Sequence, residues 1–216
     1  AKVHENGSLG KTECWYILDC PEGATLVVGH NAKDKEECAK MIHEGRWSEF
    51  IREVPIRKGD FVSIVPGTVH AIKAGVMLLE TQQNSDITYR VYDYDRLSNG
   101  RKRELHIEKS IDVINAPASP AQDSIHNFAN VRKNKPVLME KSAYYKVWKL
   151  VVEDGSELQL SREKDFDSSY LLASVVAGSG YINDTAIKKG DHFIVTNECD
   201  SLSFSGDMEI ILSAQI

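Results

Sequence analysis

No apolar run in this sequence approaches the ~20 residues that a membrane-spanning helix needs. A transmembrane-helix protein is therefore excluded as a reading. Long basic runs are missing too. Lys and Arg total 26 against 32 Asp and Glu, a net charge of -6. A nucleic-acid surface needs a concentrated basic stripe. The one cluster, Arg101-Lys102-Arg103, is short and has Glu104 beside it, as a solvated loop does. Cysteine is sparse. Cys14, Cys20, Cys38 and Cys199 form no C-x-x-C pair. This argues against a disulfide framework or a zinc-thiolate site and fits a reducing, cytoplasmic setting. The opening Ala1-Lys2-Val3-His4-Glu5-Asn6 has no apolar stretch of the signal-peptide kind and no initiating Met. The reading is a chain that begins after processing or partway into a longer protein.

What is present is strand signal. Residues 14–18, 25–29, 60–65, 76–80 and 87–92 are short runs rich in β-branched or aromatic residues, bounded by Gly, Pro, Asn or Asp. One segment, 32–45, reads as a helix. Asp34 and Glu37 suit a capping box, Cys38, Met41 and Ile42 share a face, and Gly45 stands at the stop. A second short helix is expected over 47–52, with Ser48 as its cap. Residues 115–137 hold Pro117, Pro120 and Pro136 with little periodicity and read as a connection. Strand patterns resume at 144–152, 158–160, 170–176, 192–196 and 209–213.

The two halves share a weak repeat. Ile56-Arg57-Lys58-Gly59-Asp60-Phe61 matches Ile187-Lys188-Lys189-Gly190-Asp191-His192, and each leads into an apolar strand. Two copies of one β-architecture explain it. In the first copy the strand runs into Val65-Pro66-Gly67-Thr68-Val69-His70, a histidine set just beyond a turn. A Pro-Gly turn gives the following strand a rigid mount, which suits a metal ligand. A hydrogen-bonded core histidine fits the spacing as well. The second copy has Asn197-Glu198-Cys199-Asp200-Ser201 at the matching place and no histidine, which favours one competent site and one degenerate domain. A metal needs further N, O or S donors. Glu13, at the head of an apolar strand, is a candidate carboxylate, with an edge-strand surface charge as its alternative.

The spacing from Gly59 to His70 resembles the second motif of cupin jelly rolls. Together with Gly10-Lys11-Thr12-Glu13-Cys14-Trp15-Tyr16, and with Glu80 followed by Ser85-Asp86-Ile87-Thr88-Tyr89-Arg90-Val91-Tyr92-Asp93-Tyr94, it is similar to the type I mannose-6-phosphate isomerases, in their short bacterial branch. The resemblance covers nearly the whole chain. It implies a mainly β fold of two cupin-like jelly-roll β-barrels with a small helical insertion in the first. The expected domains are a metal-binding catalytic domain at 1–115, N-terminally incomplete, a connection at 116–137, and a degenerate cupin-like domain at 138–216.

The resemblance also implies chemistry: the interconversion of mannose 6-phosphate and fructose 6-phosphate through an enediol(ate), with one zinc ion per chain. Glu13 and His70 then look like two zinc ligands, and Arg90 like the catalytic arginine. Glu80 is a candidate proton-transfer group, and Lys11 a candidate for substrate oxygens or phosphate. The expected partner is a small-molecule sugar phosphate, with no nucleic acid and no membrane. The family's Gln-x-His pair precedes the stretch at which this chain opens, and His4 matches a later family histidine, so two expected ligands are missing from the sequence. Two alternatives stand. One is a non-catalytic sugar-phosphate-binding cupin. The other is a cupin dioxygenase, which would favour an H-x-H motif that this sequence lacks; His30 and His43 are isolated. For Arg90 the alternative is a salt bridge to Asp86, Asp93 or Asp95.

Overall fold

The computed structural model describes residues 5, 7, 10–153 and 157–216. His4 and Asn6 of the opening stretch lie outside the described residues. The chain divides into two compact units, Ala1–His126 and Asn127–Ile216.

In the first unit nine strands follow in order: β1 (Glu13–Asp19), β2 (Thr25–His30), β3 (Ile51–Pro55), β4 (Asp60–Ile64), β5 (His70–Ala71), β6 (Met77–Gln82), β7 (Leu97–Ser98), β8 (Arg101–Lys102) and β9 (Ile125–Asn127), the last crossing the unit boundary. One antiparallel sheet has the order β6-β1-β4-β9, and a second the order β3-β2-β5. Trp15, Ile17, Val62 and Ile64 from the first sheet share one core with Leu26, Val28 and Val54 from the second. Two sheets over one core is the double-sheet arrangement expected of a jelly roll. Alternation on β1 sets the key face: Glu13, Trp15 and Ile17 point one way. The register puts Glu80 opposite Trp15 and Gln82 opposite Glu13 on β6.

Helix α1 (Lys35–His43) forms where its caps and apolar stripe require it, burying Cys38, Met41 and Ile42. Asp34 Oδ1 accepts from the Glu37 amide at 2.8 Å. The reciprocal arm differs from the expected box, because Glu37 Oε2 accepts from the Lys33 amide. The second helix, α2 (Trp47–Phe50), is shorter than expected and has Arg46, not Ser48, at its N-cap. Phe50 drops fully into the core, and the chain turns at once into β3, whose first residue Ile51 is already extended.

The expected strand over 87–92 does not form. Its backbone bonds go elsewhere: the Arg90 amide donates to His106 Nδ1, and Arg90's carbonyl accepts from the His106 amide. Val91 instead packs against the buried cluster of Cys38, Met41, Ile42 and Phe50, as does Ile107 of the unforeseen helix α3 (Ile107–Val113).

The second unit is a single seven-stranded sheet, with β10 (Val137–Lys141), β11 (Tyr145–Val152), β12 (Glu157–Ser161), β13 (Leu171–Ile182), β14 (Thr185–Lys188), β15 (His192–Val195) and β16 (Ser201–Gln215). A short helix α4 (Arg162–Phe166) follows β12. The two long strands organise it. The start of β16 pairs with β12 and its end with β11, while β13 pairs with β15 early and β14 late. Each long strand therefore serves two parts of the sheet, which bends round the core of Leu150, Phe166, Leu171, Leu202, Phe204 and Ile210. The bend needs close backbone approach. Gly178 has φ +72°, and a β-carbon there would overlap the Asp207 carbonyl oxygen. The fully buried Lys149 is met by Glu209 at 2.9 Å and by the Phe128 carbonyl at 3.1 Å.

Candidate active site

The two sheets of the first unit bring four of the five candidate residues together. Glu13, at the head of β1, has only 2% of its side chain exposed. An isolated carboxylate at that depth would be costly, so it needs partners. It has two. Its Oε1 lies 2.9 Å from His70 Nε2, and its Oε2 lies 2.8 Å from Lys11 Nζ. The second contact has ion-pair distance without hydrogen-bond angles, so Oε2 stays buried with no hydrogen-bond donor. Lys11 also lies 3.6 Å from Glu80 and donates to Gln82 Oε1 at 2.8 Å.

His70 comes from the opposite sheet. The β5–β2 pairing sets it beside core residue Val28 and turns its ring toward Glu13. Its Nδ1 is 2.7 Å from the Thr68 carbonyl. A carbonyl only accepts, so Nδ1 carries a proton and Nε2 is the atom presented to Glu13.

The charges settle each other. Burial alone would raise the Glu13 carboxyl, but the His70 contact and the neighbouring positive charge of Lys11 outweigh it and hold its pKa below the usual range. Enclosure works against a charged His70, yet Glu13 and the Thr68 carbonyl raise its pKa above the ordinary value. Desolvation also opposes the Lys11 charge and is outweighed by Glu13 and Glu80, so its pKa is raised. Glu80 moves upward, first from burial and then from the negative charge of Glu13 beside it. Two neighbouring carboxylates thus move in opposite directions, the pattern that separates an acid from a base.

Arg90 stands in a different cluster. Its Nη1 donates to the Glu104 carbonyl at 3.1 Å, and its Nε is 4.0 Å from Asp93. Asp93 also binds Arg96 at 2.8 Å and Arg103. Arg103 and then Arg96 hold the Asp93 carboxyl far below the usual range. No hydrogen bond or ion pair among the described residues joins Arg90 to the other four.

The donor set fits a divalent metal in part. An imidazole whose far nitrogen is held by a backbone carbonyl and a carboxylate with an unsatisfied oxygen are the correct donor types. Their number falls short. No group of three or more His, Cys, Asp or Glu that could hold a metal gathers among the described residues.

Sequence reasoning passed over Gln82 and Gln83. Gln82 anchors the Lys11 ammonium, and Gln83 Oε1 accepts from the Thr12 amide at 3.0 Å. Alternation from Glu80 was the available signal for Gln82, since residues two apart on a strand share a face.

With this geometry in place, comparison with known proteins decides the family. Mannose-6-phosphate isomerase ManA of Bacillus subtilis is 42% identical over 218 residues, covering 99% of this chain and 67% of that protein. The chain belongs to the mannose-6-phosphate isomerase family. A Streptococcus mutans protein named mannose-6-phosphate isomerase is 44% identical over 222 residues, covering 99% of this chain and 66% of its own length. The chain thus spans about two thirds of the length of these relatives. Among solved structures, the mannose 6-phosphate isomerase of B. subtilis superposes with a TM-score of 0.79 at 36% identity, over 99% of this chain and 67% of that one. A mutant of phosphomannose isomerase from Salmonella typhimurium shares the fold, with a TM-score of 0.75 at 12% identity. Residues 138–215 match the family model for the mannose-6-phosphate isomerase cupin domain. The mainly β, cupin-like architecture expected from the sequence is therefore the family's own.

Proposed function

We propose that this chain carries part of the active site of a zinc-dependent isomerase that interconverts mannose 6-phosphate and fructose 6-phosphate through an enediol(ate), in the cytoplasm. The observation that carries the reading is the convergence of Glu13 and His70 from two sheets, with Lys11 and Glu80 beside them. The names of its relatives support it. No helix of the described residues is long and apolar enough to cross a membrane.

The reaction removes a proton from C2 of the aldose and returns one to C1, while the hydroxyl proton of O2 is lost and O1 gains one. A carboxylate of raised pKa suits the carbon-bound proton, because proton transfer is most effective when the group's pKa approaches the working pH. Glu80 fills that role, taking the C2 proton and delivering it to C1. Lys11, held between Glu13, Glu80 and Gln82, offers a fixed ammonium to a substrate oxygen. Arg90 keeps the role of stabilising the enediolate, for which a permanently charged guanidinium is suited. Glu13 and His70 would hold the zinc ion, whose contribution when bound is Lewis-acid polarisation of substrate oxygens.

The test is direct. The zinc-loaded protein is assayed for conversion of mannose 6-phosphate, with Glu80→Gln alongside. Turnover that collapses in Glu80→Gln supports the assignment. Failure of the zinc-loaded native protein to isomerise mannose 6-phosphate overturns it.

A further inference from the structure

The backbone mount of His70 is slight. β5 is two residues long and pairs with β2 only at Val27 and Val28. About a third of the His70 side chain is exposed. Two hydrogen-bonding contacts locate the ring, Nδ1 at the Thr68 carbonyl and Nε2 at Glu13. They place the two ring nitrogens, and what packs against the ring adds to its hold.

The Trp15 indole and the His70 imidazole form a T-shaped pair, with ring centroids 5.4 Å apart and planes at 69°. Such T-shaped pairs are a favoured arrangement of aromatic rings. Trp15 is itself immobile: it is 2% exposed, lies on the central strand β1, and is flanked by Val62 and Glu80 on the neighbouring strands. Its Nε1 is buried without a hydrogen-bond partner among the described residues, so no polar contact of its own accounts for the ring's placement. Glu13 and Trp15 are two residues apart on the same face. One strand therefore supplies both the acceptor for His70 and the wall against it.

We infer that Trp15 is a positioning residue, whose indole fixes the plane of the His70 imidazole and so the direction of its Nε2. The inference does not depend on which substrate the pocket takes, so its failure leaves the isomerase reading standing.

The test reads His70 itself, without metal, by NMR of its ring protons and nitrogens, assigned through their loss in His70→Gln. The native protein is expected to give one sharp set of His70 ring signals. Trp15→Leu removes the wall, and that set should broaden or move to an averaged position. Ile17→Ala opens the same core two residues further along β1, where Ile17 is fully buried. It should leave the His70 signals in place. Unchanged His70 signals in folded Trp15→Leu overturn the inference. So does an equal change in Ile17→Ala, which would assign the effect to a loosened core. Should Trp15→Leu fail to fold, Trp15→Phe, whose smaller ring fills less of the indole's place, must show a smaller change in the same direction. No change in folded Trp15→Phe counts against the role as well.

Discussion

Acidification should weaken the first unit through His30. This histidine is 3% exposed and stacks on Phe50, with centroids 5.0 Å apart and planes at 9°. Its Nε2 faces the Asn115 carbonyl at 2.9 Å, and its Nδ1 faces the Ala32 amide at 3.2 Å. The amide can only donate and the carbonyl only accept, so the neutral ring with a proton on Nε2 satisfies both. A second proton on Nδ1 would set donor against donor. Burial depresses the His30 pKa first; the Asn115 bond opposes this, and the charges of Arg52 and Lys35 add to it. The folded pKa is below the unfolded one, so the unfolded chain binds more protons in between, and stability falls as pH falls. The stabilisation is fully present above the unfolded value near 6.5 and is lost below it. A single site can change stability by at most about 1.4 kcal/mol per pH unit, and only below the unfolded value near 6.5, so the His30 share between pH 7.5 and 5.5 is capped at about 1.4 kcal/mol. Urea unfolding at the two pH values, native against His30→Gln, isolates this share, because other groups such as His70 contribute equally to both proteins. The native protein should lose more than the variant, by no more than about 1.4 kcal/mol. Equal losses would refute the assignment of the His30 tautomer and its pKa direction.

Three further outcomes follow from particular contacts. Gly178→Ala places a side chain at φ +72° against the Asp207 carbonyl and should cost more than about 2 kcal/mol, measured by chemical denaturation. Asp34→Ala removes the cap of α1 and should cost about 1 kcal/mol in the same assay, while Asp34→Ser should recover most of it. Arg90→Ala should lower kcat far more than it raises KM for mannose 6-phosphate; the reverse would confine Arg90 to binding.

Much of this was legible in the residues. The strand at 14–18, the capped helix around Cys38 and the strand entered at Asp60 all form, because local propensity and burial agree there. The convergence of Glu13 and His70 was readable only through the resemblance, since 57 residues separate two groups that a register and a sheet crossing bring together. The segment at 87–92 misled because its β-branched and aromatic residues pack as irregular chain. Trp47 stacks on Tyr92 with centroids 4.5 Å apart, and His106 takes the backbone bonds that a strand partner would have taken. The Gln82–Lys11 contact was hidden for a simpler reason. A glutamine carries no charge to flag it, and only the β1–β6 register shows which lysine it meets.

One property of β1 has a bearing on how the protein fails. Its first five residues, Glu13 to Ile17, are buried on both faces, and it lies between β4 and β6 rather than at an edge. Amides in such a strand are released only when the unit opens as a whole, and their hydrogen exchange should be among the slowest in the first unit. The strand that supplies Glu13 and Trp15 therefore does not fray. Loss of the site and global unfolding of that unit should share one midpoint in denaturant, so residual activity would serve as a direct count of folded molecules.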